Sequence, residues 1–208
     1  MKKTILLALI SAFVFTIGAS AQANEKQVLK DAKKEAKSLK KEGWQVSPGA
    51  LPLERQLEDA YRKLYDRDEY GLSKFYVGQG MPTSEFYDAA KIQAQSLAKV
   101  DIAGQSQSQL KGIVENAVAN KMLSKEEAAS IEQITMKSTE MISGSLGRTI
   151  PLVECFRKLP NGNTQVMIRL AYPTSQALEQ SKQVVRDQLE KELKGLGEKL
   201  DKAVQNFK

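Results

Sequence analysis

The side chains able to do chemistry in this sequence are carboxylates, lysines, tyrosines and one thiol; the chain has no histidine. That absence removes the commonest general base, the serine and cysteine triads that depend on it, and most zinc sites. Asp66, Asp68 and Gly71 imitate the opening of a calcium loop, D-x-D-x-x-G. The twelfth position, where such a loop needs a bidentate Glu, is Val77, and the fifth is Tyr70, so a loop capped by solvated acids is the better account. Ser-x-x-Lys occurs at Ser38, Ser96 and Ser108, but its partner motifs S-D-N and K-T-G do not, and neither G-x-S-x-G nor a Walker A sequence is present. Gly78-Gln79-Gly80 could offer backbone N–H groups to an anion, although a turn into the following helix explains it more simply. Carboxylate pairs such as Glu58/Asp59 would serve glycoside hydrolysis only by facing each other across a cleft, commonly with aromatic platforms. The chain is 6% aromatic with one tryptophan.

Aromatics do cluster locally, at Trp44, Tyr61, Tyr65, Tyr70, Phe75 and Tyr76, with Arg62, Arg67 and Lys74 interleaved. Packing of a helix onto a strand accounts for most of them, but such mixtures also suit interfaces. Tyr61, Tyr65, Arg67, Tyr70 and Tyr76 are therefore the candidate interaction surface, and no catalytic, cofactor or metal residue is assigned. Cys155 has no partner for an internal disulfide. Facing inward with Val153 it is a small buried hydrophobe; facing outward it could link two chains in an oxidising compartment.

These residues need elements to hold them. Glu25 to Glu42 reads as a charged helix with a thin apolar seam of Val28, Leu29, Ala32, Ala36 and Leu39. Leu53 to Tyr65 forms a second helix behind Pro52, and Leu72 to Gly78 a strand. A helix starting near Ser84 is expected to bury Phe86, Ala89, Ala90, Ala94, Leu97 and Ala98, a face rich in small residues. From Ile102 to Ala119 the polar alternation of Gln105, Gln107 and Gln109 against Ser106, Ser108 and Leu110 predicts a long strand with one solvent face. Ser124 and Glu127 form a capping box opening a helix to about Ile142. Ile150 to Lys158 and Thr164 to Tyr172 form a hairpin around Asn161-Gly162. After Pro173-Thr174 one apolar stripe, Val185, Leu189, Leu193, Leu196, Leu200, Val204 and Phe207, predicts a single long helix. It packs on the first two helices or pairs between chains. The expected fold class is α+β: a largely antiparallel sheet packed by helices, with a helical N-terminal extension and a long C-terminal helix. The expected divisions are 1–23, 24–82 and 83–208.

The first of these is an address. Lys2 and Lys3, an apolar run from Ile5 to Ile17 and small residues to Ala23 describe a secretory signal peptide. Cleavage frames exist at Ala19-Ser20-Ala21 and Ala21-Gln22-Ala23, the second being favoured. The processed chain is expected in the periplasm or cell envelope, with no transmembrane segment and peripheral membrane contact as an option. Loss of Lys2 and Lys3 lowers the 31 basic residues to 29 against 25 acids, a mild +4 that argues against nucleic acid. The basic run Lys26 to Lys41 carries Asp31, Glu35 and neighbouring acids at helical pairing distance, Asp31 with Lys34 for example. It reads as a solvated face, with contact to an anionic membrane or cell-wall polymer as the alternative.

Gly43-Trp44-Gln45-Val46, Pro48-Gly49-Ala50-Leu51-Pro52-Leu53-Glu54 and Gln56-Leu57 resemble the opening of uncharacterised secreted envelope proteins of Bacteroidetes. Ser84 to Ala177, with Ala89-Ala90 to Ala98, Ile102 to Val118, the helix after Ser124 and Thr149 to Tyr172, distantly resembles the twenty-kilodalton bacterial outer-membrane lipoprotein family. The resemblance implies a small helix-on-sheet domain, an envelope location, and a binding or structural role without catalytic residues. The lipid-attachment cysteine of that family is absent here. A non-enzymatic protein that binds or scaffolds envelope components, or associates with itself through the C-terminal helix, is the expectation. The alternatives are a secreted hydrolase using carboxylates and a small-ligand or glycan carrier.

Overall fold

The computed structural model describes residues 25–193 and 195–207; the expected signal peptide lies outside them. Helix α1 covers 25–41 and α2 covers Leu53–Tyr65. Strands β1 (Phe75–Gly80) and β2 (Thr83–Ser84) lead into α3 (Tyr87–Ala119), followed by α4 (Lys125–Lys137) and α5 (Thr139–Ser145). The hairpin β3 (Ile150–Lys158) and β4 (Thr164–Pro173) precedes α6 (Thr174–Glu192) and α7 (Leu196–Gln205).

The sheet is antiparallel and organised around β4. On one side β3 pairs with it from Ile150↔Ala171 to Lys158↔Thr164; on the other, β1 and then β2 pair with it in succession. The α+β expectation holds. The division at residue 82 does not follow the sheet, because β1 and β2 fall on opposite sides of it and pair with the same strand.

β4 is buried on both faces, and its alternation sorts residues into two layers. Met167 and Ala171 pack with Ala32, Ala36, Leu57 and Trp44 under α1 and α2. Val166, Ile168, Leu170 and Tyr172 pack with Ala90, Ala94, Ala98 and Ile102 on α3. Gly78 and Gly80 let β1 lie directly against α3, since a Cβ at either would come closer than 3.0 Å to a backbone carbonyl oxygen, of Ala98 and Ala94 respectively. The Gly-x-Gly pair is thus a close-packing device within a strand, neither an anion loop nor a turn.

The strand expected over Ile102 to Ala119 is the second half of α3, a helix of 33 residues. Its glutamines misled because each serves a different neighbour. Gln105 donates to the Val77 carbonyl on the free edge of β1 and Gln109 bonds the Tyr76 hydroxyl. Gln107, on another side of the helix, donates to the Thr135 carbonyl and exchanges hydrogen bonds with Thr139 at the α4–α5 junction. Ser106 is buried too, its hydroxyl 2.7 Å from that of Ser181 on α6. Polar alternation predicts a face in water, yet Gln105, Ser106, Gln107 and Gln109 turn to protein, and of the five polar residues only Ser108 is exposed.

The capping box is present as expected, Ser124 Oγ accepting from the Glu127 N–H and Glu127 from the Ser124 N–H. The helix it opens stops early at Ser138. There the Ser138 and Thr135 hydroxyls donate back to the Ile134 and Ile131 carbonyls, a pattern that bends helices. The C-terminal stripe likewise does not form one helix. Gly195 adopts φ +87°, and α7 folds back against α6. Val185, Leu189, Leu196, Leu200 and Val204 all enter a second core with Leu110, Ile113, Val114 and Ile131 from α3 and α4. They do not pack on the first two helices, and Leu193 and Phe207 of the same stripe are exposed.

Candidate functional site

The five candidate residues do not form one surface. Tyr61 is half-buried on α2, its hydroxyl donating at 2.9 Å to Glu35 of α1. Tyr65 donates at 2.7 Å to Asp31. Tyr76 lies across the sheet against α3, beside Gln109. These three brace one element against another while staying partly exposed. Burial, reinforced at Tyr61 by the Glu35 carboxylate, pushes Tyr61 up to about 12; burial alone does the same to Tyr76. None is poised to give or take a proton near neutrality.

Tyr70 and Arg67 belong to a hairpin over residues 66–74. Its neck is closed by an Arg67–Ser73 bridge and by the Asp68 N–H donating to the Leu72 carbonyl at 2.9 Å. Arg67 Nη1 ties the neck further, reaching the Leu64 carbonyl at 2.7 Å and Ser73 Oγ at 3.0 Å. Asp68 Oδ1 accepts from the Tyr70 and Leu72 N–H groups, and Gly71 turns the tip at φ +80°. Asp66 pairs with Lys74 at 3.1 Å. The acids that imitate a calcium loop are therefore occupied in building a hairpin. Its tip holds two apolar residues in water, Tyr70 at 80% exposure and Leu72 at 57%.

Helical spacing predicts that the acids of α1 sit among its lysines. Asp31 does feel the charges of Lys30 and Lys34, but all three acids also bond to other parts of the protein. Glu25 takes both Nη atoms of Arg62 at 2.5 Å, Asp31 takes Tyr65 and Gln27, and Glu35 takes both Nη atoms of Arg169 on β4 with Tyr61. Burial works to raise the Glu35 carboxyl, but Arg169 and Tyr61 hold it below its ordinary value. Lys26, Lys30, Lys33, Lys34, Lys37, Lys40 and Lys41 are exposed and make no ion pair among the described residues. At about 100° per residue these seven fill a continuous arc of roughly 120° that contains no other residue type.

A third polar group joins α3 to β3. Glu154 Oε1 accepts from Tyr87 at 2.6 Å and Lys91 at 2.7 Å, with Ser47 Oγ 3.5 Å from the Tyr87 hydroxyl. Burial tends to raise the Glu154 carboxyl, but Lys91 and Tyr87 bring it below its usual range. Burial and Glu154 raise Tyr87, and the bond to Glu154 raises Lys91. Every shift runs away from neutrality, which makes this an ion-pair brace, the reverse of a tuned acid and base. Cys155 faces inward and is fully buried; burial pushes its thiol up to about 12.

Sequence reasoning missed Leu72, Glu35 and Arg169. Leu72 carried a signal as an apolar residue beside Tyr70-Gly71, but it was assigned to the strand. Glu35 and Arg169 carried none, being 134 positions apart. No family model, curated protein or solved structure matches the chain.

Proposed function

We propose that this chain is a non-catalytic protein of the cell envelope, exported by its N-terminal segment, which binds or scaffolds other envelope components through the 66–74 hairpin. The observation carrying this reading is the tip itself. Tyr70 is a large amphipathic side chain held in water on a backbone locked by Asp68, Arg67 and Gly71. A preorganised aromatic gives contact area while losing little conformational freedom on binding. The hydrolase reading draws no support from Glu154, which lines a cleft beside Gln56 and Leu152 and is engaged by Lys91 and Tyr87.

The test is the double substitution Tyr70→Ala with Leu72→Ala. Neither residue reaches the core, so the melting temperature should stay within about 2 °C of the parent. Co-fractionation with envelope components should fall at least tenfold. Unchanged association with an intact fold would remove the hairpin as the contact.

A further inference from the structure

We infer that the lysine face of α1 rests on a bilayer leaflet containing anionic lipid, held by charge and without insertion. The proposal is independent of the hairpin contact and needs only a leaflet within reach. Its basis is the separation of charge across one helix. With Glu25, Asp31 and Glu35 bonded to Arg62, Tyr65, Arg169 and Tyr61 outside the arc, none of the seven ammonium groups is ion-paired among the described residues, and only Asp31 lies near enough to act on Lys30 and Lys34. Such an arrangement is unfavourable for the isolated chain, because like charges three and four residues apart repel. An anionic surface relieves that repulsion.

The shape and chemistry of the face select the occupant. Lysine is a compact point charge on a flexible stem, without the planar fork with which arginine grips one oriented phosphate. Seven lysines therefore suit a diffuse field of phosphates. The arc is the convex outer side of a helix about 25 Å long, and a plane can meet such a ridge along its whole length. The concavity beside it, of about 420 Å³, is lined by Lys33, Lys37, Lys40 and Lys41 with the single acid Glu54, and it covers only part of the arc, leaving Lys26, Lys30 and Lys34 on the open ridge. Insertion of the helix is prevented because Val28, Ala32, Ala36 and Leu39 of its apolar seam are already in the protein core, leaving Leu29 alone exposed beside the arc. An interfacial helix would need that side for the acyl boundary.

The test is co-sedimentation of the chain, as purified from the expressing cell with its N-terminus read by mass spectrometry, with two kinds of vesicle. One is phosphatidylcholine alone, the other phosphatidylcholine mixed with phosphatidylglycerol. Binding is expected only to the second. It should vanish as salt rises from about 0.1 M to about 1 M and the screening length shrinks from about 10 Å to about 3 Å. Replacing Lys30, Lys33, Lys37 and Lys40 by Gln should weaken partitioning by about a hundredfold or more. A control with the same charge change, Gln at the exposed Lys125, Lys137, Lys191 and Lys202, should lose less than tenfold; circular dichroism verifies both folds. Equal loss in the two variants would reduce the effect to net charge and overturn the proposal. Equal binding to both vesicles, or binding to soluble polyphosphate but to neither vesicle, would also overturn it. Loss of vesicle binding would leave the Tyr70 and Leu72 result unaffected, so the two readings fail separately.

Discussion

At the level of single residues, the titratable groups act by holding layers together. Glu35 is the clearest case. Its carboxylate, on α1, holds Arg169 of the central strand and Tyr61 of α2 together. Since its folded pKa lies below the ordinary 4.5, its contribution is present above that value and is lost as pH falls through it and below. Glu154, shifted the same way, adds to the same acid limb. Glu35→Gln should therefore lower stability by about 1–2 kcal/mol at neutral pH, with the gap to the parent closing below about pH 4. A constant gap in chemical denaturation across that range would show that the charge is not what Glu35 contributes. Cys155 gives a second test. With the thiol buried and pushed up to about 12, it should not react with a thiol reagent at pH 8 in the native chain and should react fully on unfolding. The sequence left the facing of Cys155 open, inward with Val153 or outward, and only the register of β3 against β4 puts it in the core. The partners of Asp31 and Glu35 were not legible. Helical spacing offered nearby lysines, but α2 and β4 supplied Tyr65 and Arg169, which local spacing does not contain.

Among elements, α3 decides the architecture. Its first half presents Ala90, Ala94 and Ala98 to the sheet, and its second half carries the core shared with α4, α6 and α7. Gly78 and Gly80 make the close approach to the sheet, and each should reject even a methyl group. Gly80→Ala or Gly78→Ala would drive a Cβ onto a helix carbonyl and should cost about 2–3 kcal/mol. Gly112 lies on the same helix with nothing within 4 Å of its would-be Cβ, so Gly112→Ala should stabilise by up to about 1 kcal/mol. Melting curves in which the two substitutions act alike would contradict this packing. The alanine spacing revealed the first half of α3, while the glutamines concealed the second. Period-two polarity describes a strand only when the polar side chains face water. Here Gln105, Gln107 and Gln109 satisfy a sheet edge, a helix junction and a tyrosine. The stripe from Val185 to Phe207 was visible, but not its folding back, since the glycine that turns the chain also fits the helical spacing.

For the whole molecule, the sheet lies between α1 with α2 on one face and α3 on the other, and the outer edges of β1 and β3 are each partly covered. Gln45 and Gln56 cover β3, and Asp101 and Gln105 cover β1. Such edges resist strand addition by another chain, so contacts with other molecules fall to projecting features. Two stand out, the Tyr70 hairpin and the lysine face of α1. No described helix is long and apolar enough to cross a membrane. The α+β class and the hairpin of β3 and β4 were legible from periodicity and from Asn161-Gly162. The site was legible only in part: of five candidate residues Tyr70 is presented, Arg67 braces its hairpin, and Tyr61, Tyr65 and Tyr76 are partly buried braces between elements. The central claim is that the chain works in the envelope by contact through that hairpin. Photo-cross-linking in living cells tests it most directly, with the reactive group at position 70 and a control at the exposed position 137. A discrete adduct with an envelope component from position 70, absent from position 137, is the predicted result. No adduct from position 70, the same adducts from both positions, or a chain retained in the cytoplasm would contradict it.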